Sequence, residues 1–363
     1  MSTQFGNLPE DQISAVHALT GRTLQTGWHV IERAKSKPGA TGGNFSVCYI
    51  VERKGQKGFL KALNVLSFLR DDKPDLLDAM AEMLNTFNFE KEILTRCKNK
   101  NLSKVSRLLD AGQENIPSFL VSNVYYMVFE RADSDVREHL IFTQLIDNSW
   151  KLRSLHNVAT GIKQLHGIDI SHQDVKPSNV FVFDKVISKI GDLGRSLCQG
   201  LPSPHAELDF SGDSRYAPPE VFHGFALPDW RDKVFAIDCY LLGSLASYYF
   251  TAQSMTALLS QKINHRINIL TLNFENALPY WIAAFDESLD IIRQHLIDFE
   301  DRDILVHAIE MLCFPDPRKR GHIKNIKEVG SNFQLERFVE IFNLLAARAE
   351  YRITKNKKGG SFI

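Results

Sequence analysis

Ser171-His172-Gln173-Asp174-Val175-Lys176-Pro177-Ser178-Asn179 runs on through Val180-Phe181-Val182-Phe183 and then Lys189-Ile190-Gly191-Asp192-Leu193-Gly194, the densest signal in the chain. A histidine near an aspartate is ordinarily a satisfied structural pair and says little by itself. Here the pair is followed closely by a lysine, an asparagine and a second aspartate set before a glycine. Two carboxylates, a cation and an amide are gathered within one short stretch.

On the N-terminal side the pattern is β-rich. FSVCYIVE (45–52), GFLKALNVL (58–66), VSRLLDAG (105–112) and VYYMVFERA (124–132) read as strands, the first two joined by a turn at Gly55. Between them the period changes: Leu76, Met80, Met83, Leu84, Phe87 and Leu94 predict one amphipathic helix over 75–97. After Asp135 the pattern turns helical. Leu152, Leu155, Val158, Ala159, Ile162 and Leu165 share one face, and further helices read at 234–250, 287–298, 303–313 and 334–350. Residues 1–35 read as an N-terminal extension ending at a basic, Pro-marked joint, 36–132 and 133–350 as the two main parts, and 351–363 as a basic, solvated tail.

Composition narrows the function classes. The 363 residues suggest two domains or one large bilobal unit, and 44% hydrophobic with 24% charged residues is ordinary globular usage. Lys+Arg and Asp+Glu both number 43, so the basic excess of a general nucleic-acid or membrane-surface binder is missing; neither partner is expected. The five scattered cysteines include no CxxC pair, which favours a reducing cytoplasm over a disulfide frame or a zinc site. Residues 1–30 lack the basic start and apolar core of a signal peptide. The most apolar run, Val234 to Phe250, contains Asp238 and is short for a membrane span; it reads as a buried helix of a soluble protein.

The stretch 171–194 resembles the catalytic loop and metal-binding loop of the eukaryotic-like (Hanks-type) Ser/Thr protein kinases, HxDxKxxN followed by DxG. The resemblance implies an α+β, bilobal protein-kinase fold: a small β-rich N-lobe with one main helix and a larger helical C-lobe. It implies an ATP- and Mg²⁺-dependent enzyme acting on a protein substrate. Asp174 would orient the acceptor hydroxyl and take its proton, Lys176 would stand by the moving phosphoryl group, and Asn179 with Asp192 would ligate the metal. TGGNFSVC resembles the phosphate-covering Gly-rich loop, with Thr41 in place of the first glycine, then Gly42, Gly43, Phe45 at the tip, Ser46 in the last glycine position and Cys48 beyond it. Lys61 resembles the strand lysine that holds the phosphates, and Glu90 its helix partner, with Glu92 as competitor. Phe129 stands as gatekeeper, with Glu130 to Ala132 offering backbone groups to adenine. GDSRYAPPE resembles the end of an activation segment running from Asp192 to Glu220. There Glu220 is matched to Arg320 in PDPRKRGH, and Asp238 to the aspartate that anchors the catalytic loop.

The departures from the family pattern carry information. Gln173 replaces the arginine that would receive an activation-segment phosphate, which makes this a non-RD chain. Leu193 replaces the usual phenylalanine, and Asp213 occupies the place of a threonine usual in Ser/Thr-directed enzymes. Together these are similar to Wee-type, tyrosine-directed kinases, whereas Lys176 is a Ser/Thr feature and the APPE ending looks like soluble bacterial kinases of eukaryotic type. Ser/Thr is the favoured acceptor. Phe59 stands where the family keeps an alanine that roofs adenine, which leaves ATP affinity and a pseudokinase scaffold as open questions. Small-molecule kinases of related fold lack the GDSRYAPPE segment and its arginine.

Overall fold

The computed structural model describes residues 9–35, 45–69, 75–142, 147–263, 268–327 and 332–359. They fall into two compact units. The first runs to Asp133 and takes in Asp192–Gly194 and Pro202–Pro204; the second holds Ser134–Gly191, Arg195–Leu201 and the chain from His205 onward.

In the first unit a short helix α1 (Glu10–Ile13) precedes strands β1 (His29–Arg33), β2 (Ser46–Arg53) and β3 (Gln56–Leu63), helix α2 (Leu76–Asn99), and strands β4 (Leu108–Asn115) and β5 (Asn123–Glu130). The five strands form one antiparallel sheet in the order β1-β2-β3-β5-β4. Lys54 and Gly55, both at positive φ, make the two-residue turn that sets the β2–β3 register. Because strand side chains alternate, Gly58, Leu60 and Ala62 of β3 face one core while Phe59 and Lys61 share the opposite face.

That core is where the expectation of an N-terminal extension fails. Val16, Leu19, Leu24 and Trp28 pack with Tyr49, Leu60, Tyr126 and Val128 in one buried cluster. Trp28 is 0% exposed, and the Tyr49 hydroxyl donates to Val16 O at 2.7 Å. A Cβ on Gly58 would come within 2.8 Å of Val128 and 3.1 Å of Trp28, so glycine at 58 is what lets the indole lie against the sheet. Residues 13–33 are thus part of this unit. They are largely irregular, so their apolar residues lack the period by which a sequence betrays burial.

The second unit opens with β6 (Ser134–Asp135), α3 (Val136–Phe142) and α4 (Asn148–His166), then β7 (Ile170–Ser171), β8 (Val180–Phe183), β9 (Ile187–Ile190) and β10 (Leu197–Cys198). The α4 face expected from the sequence is wholly buried. Helices α5 (Trp230–Thr251), α6 (Met255–Lys262), α7 (Phe274–His295), α8 (Arg302–Cys313), α9 (Ile323–Lys327) and α10 (Glu336–Gly359) follow. Helix α5 is apolar on every side and buried almost throughout, as its composition predicts. Helix α7 starts at Phe274 rather than 287: the Asn273 side chain caps it, and its buried face runs from Phe274 through Trp281 to Ile292 despite Pro279. The basic tail is also corrected. Helix α10 continues to Gly359, packs Phe338, Phe342 and Leu345 into the core, and pairs Arg348 and Arg352 with Asp301 at 2.7 Å.

Candidate active site

In the first unit the site is built on Lys61. Its Nζ lies 2.9 Å from Asp192 Oδ1 and 3.4 Å from both carboxylate oxygens of Glu90. Glu90 is 1% exposed on the buried face of α2, whereas Glu92 forms a surface pair with Arg96; the choice between the two glutamates is settled by which face of the helix each occupies. Burial works against the Lys61 charge, but Asp192 and Glu90 outweigh it and hold the ammonium above its ordinary range. Burial pushes the Glu90 carboxyl up despite the lysine. Asp192 holds φ +63°, a left-handed conformation that costs a non-glycine residue about 1 kcal/mol or more and is maintained here beside a packed ion cluster.

Around Lys61 the sheet adds an apolar and partly open surface. Cys48 is the cross-strand partner of Lys61, and burial raises its thiol to about 11, so it is a poor nucleophile. Phe59 stands directly between Ile50 and Phe129 in the register and is only partly buried, as is Phe129. Ser46 leads the Cys48 face of β2, and its Oγ is buried with no hydrogen-bond partner among the described residues. Phe45 is 42% exposed and its ring lies tilted against that of Phe68, centroids 5.1 Å apart. The Glu130 N–H donates to Arg107 O and its side chain accepts from the Arg107 N–H, so that N–H is committed to the sheet; Ala132 follows the end of β5. Thr41, Gly42 and Gly43 lie outside the described residues.

In the second unit the loop between β7 and β8 gathers the remaining groups. Asn179 donates through Nδ2 to both Asp174 Oδ2 and Asp174 O at 2.9 Å, and Lys176 Nζ lies 2.9 Å from the same carboxylate. The Asp174 N–H donates to His172 Nδ1 at 3.2 Å, which leaves Nε2 to donate to Gly191 O at 3.1 Å. His172 thereby ties the Asp174 loop to the chain entering Asp192. Beneath it sits Asp238 of α5, 0% exposed, accepting from the His172 and Gln173 N–H groups at 2.8 Å, from the Ser171 hydroxyl and from His166. Burial opposes its charge, but these donors prevail and keep the carboxyl below its usual range. This is the anchor expected of Asp238; the supporting donors His166 and Ser171 carried no sequence pattern of their own.

Gln173 is 1% exposed at φ +64°, with its amide donating to Ser171 Oγ and Val234 O. Farther along, the Asp213 N–H donates to Asp174 Oδ1, and Arg320 grips Glu220 with two bonds of 2.6 and 2.8 Å. Arg320 also donates to Phe314 O and Ala236 O, so this buried pair is well supplied with hydrogen bonds and fixes where the segment ends.

Each unit by itself offers an oxygen donor of the kind a hard divalent cation takes: in the second, Asn179 spends its NH₂ group on Asp174 and keeps a carbonyl oxygen; in the first, Asp192 is a carboxylate. The buried ammonium of Lys61 and the orphaned hydroxyl of Ser46 suit a phosphate chain.

Comparison with known proteins agrees with this chemistry. A protein kinase domain model matches residues 42–328. The chain is 26% identical over 203 residues to an Aurora kinase of Debaryomyces hansenii, an alignment covering 56% of this chain and 44% of that protein. It is 28% identical over 201 residues to the serine/threonine-protein kinase chk-1 of Caenorhabditis briggsae, covering 50% and 37%. To the calmodulin-binding receptor-like cytoplasmic kinase 1 of Arabidopsis thaliana it is 28% identical over 153 residues, covering 40% and 31%. The chain therefore spans less than half the length of these curated relatives.

Proposed function

The chain belongs to the protein kinase domain family, and we propose that it moves the terminal phosphoryl group of ATP onto a serine or threonine hydroxyl of a protein substrate. The observation that carries this reading is Asp174, a buried carboxylate gripped by Lys176 on one side and Asn179 on the other. A carboxylate so fixed can accept the proton of an acceptor hydroxyl as its oxygen bonds to phosphorus. The bond from phosphorus to the bridging oxygen breaks, and ADP leaves with the electron pair. Lys176 offsets negative charge beside the reacting oxygens, and Lys61, steadied by Glu90, holds phosphate oxygens. Asn179 and Asp192 are the residues that would hold Mg²⁺, which would supply neutralisation of phosphate charge.

The assembled Lys61, Glu90 and Asp192 cluster favours an enzyme over a pseudokinase scaffold. Lys176, two residues after Asp174, supports Ser/Thr as acceptor, as does the name of the Caenorhabditis briggsae relative. Asp213 favours a second reading, a Wee-type tyrosine acceptor. The five scattered cysteines, with no CxxC spacing, support a reducing, cytoplasmic setting within the same proposal. Phosphoamino-acid analysis of autophosphorylated protein should yield phosphoserine and phosphothreonine; mainly phosphotyrosine would replace the first reading by the second.

A further inference from the structure

We propose that His17 makes the fastening of the N-terminal layer, residues 9–28, onto the sheet of the first unit sensitive to pH, tight while the imidazole is neutral and loosened in mild acid. The layer precedes the matched kinase domain and has no part in the phosphotransfer reading. His17 closes the helical turn Ala15–His17 and is flanked in sequence by Val16 and Leu19 of the buried cluster. Its side chain is only 9% exposed, and neither ring nitrogen has a hydrogen-bond partner among the described residues. A neutral imidazole always carries one N–H, so one donor is buried here without an acceptor whichever tautomer is present. A charged imidazole carries two.

The groups around the ring decide which form the fold tolerates. Glu10 and Asp11 of α1 favour the charged ring, and Arg33 at the end of β1 opposes it. Glu10 is a weak helper: its Oε2 stands 3.8 Å from Nε2, beyond hydrogen-bond reach, on a side chain that is 65% exposed. The same oxygen accepts from Asn64 Nδ2 at 3.4 Å. Tyr49 of β2, whose hydroxyl donates to Val16 O, stays a neutral phenol because burial raises it. Burial is the largest influence on His17 and Arg33 the next; together they outweigh the two acids and hold the ring below its ordinary value of 6.5. The unfolded segment therefore takes up the proton more readily than the folded one. The contribution of neutral His17 is complete above about pH 6.5 and is lost as pH falls below it. The layer backs β2 through the Tyr49 bond to Val16 and is tied to Val121 by Ser14, so loosening it uncovers one face of the strand that carries Ser46 and Cys48.

The test follows deuterium exchange of the full chain at about pH 7.5 and about pH 5.5, on either side of the histidine range. Intrinsic exchange rates are divided out, and the amides of α8 serve as an internal reference for effects of other histidines on the whole protein. Opening of residues 13–24 relative to α8 should increase about 3- to 10-fold at the lower pH. His17→Leu fills the same buried place without a titrating group and should remove that increase. His17→Gln stays polar but cannot become charged; it should remove the increase as well, and it decides the matter if the leucine packs poorly. In Glu10→Gln, which takes away a group favouring the charged ring, the acid response should be at least as large as in wild type. An undiminished response in both His17 variants would overturn the proposal. So would slower exchange of residues 13–24 at the lower pH in wild type, since Glu10 would then be capturing a charged ring. The readout does not depend on phosphate transfer, so failure of the phosphotransfer reading would leave this result standing.

Discussion

Glu90 and Glu92 stand two positions apart on α2 and meet opposite fates, one buried against Lys61 and one on the surface with Arg96. A helix turns 100° per residue, so two positions carry a side chain to a different face. The sequence narrowed the partner of Lys61 to these two, and the apolar stripe through Met83, Phe87 and Leu94 indicates which face is buried. Glu90→Gln should leave Lys61 with Asp192 alone, let the ammonium shift, and cost up to ~100-fold in kcat through misplacement. Glu92→Gln removes an exposed i,i+4 pair worth about 0.3–0.5 kcal/mol and should leave kcat unchanged. Steady-state rates of the two variants side by side check the assignment; equal losses would contradict it. Other single residues were harder to read. That Gln173 lacks a charge is plain from its type, but that its amide is buried toward Val234 depends on the left-handed backbone at that position.

The elements with a clear period were legible: β2, β3, β5, α4 and the middle of α2 fall close to where alternation or the helical stripe puts them. The failures lie where burial has no period or a capped start is disguised. Residues 13–28 cover one face of the sheet as a largely irregular chain held by the Ser14–Val121 bridge and the Tyr49 hydroxyl. Helix α7 carries a proline inside its early turns, and α10 continues past the apolar stripe into a basic stretch held by Asp301. The N-terminal packing predicts a measurable consequence. Trp28→Ala empties a fully buried indole site between the sheet and Leu24, and should cost about 3–5 kcal/mol of stability. Chemical denaturation measures it; a loss below about 1 kcal/mol would mean that residues 13–33 are as dispensable as an extension.

At the scale of the molecule, fold class and site were legible from the same short motifs, because phosphotransfer chemistry demands a rare set of residue types at fixed spacing. Ion pairs between distant residues were legible too: Glu220 and Arg320, a hundred positions apart, meet in a buried bidentate pair. The network around Asp238 and the bond from the Asp213 N–H to Asp174 were legible only in part, since they are assembled from backbone N–H groups and ordinary polar residues that leave no pattern. All of it converges on Asp174. The most direct test is transfer of radiolabelled phosphate from ATP to a generic protein acceptor by wild-type protein and Asp174→Asn, with nucleotide binding measured on both. Wild-type protein should label the acceptor, and the variant should bind nucleotide as well while losing ~10²–10⁴ in rate, the contribution of a positioned base. Undiminished transfer by Asp174→Asn would contradict the account.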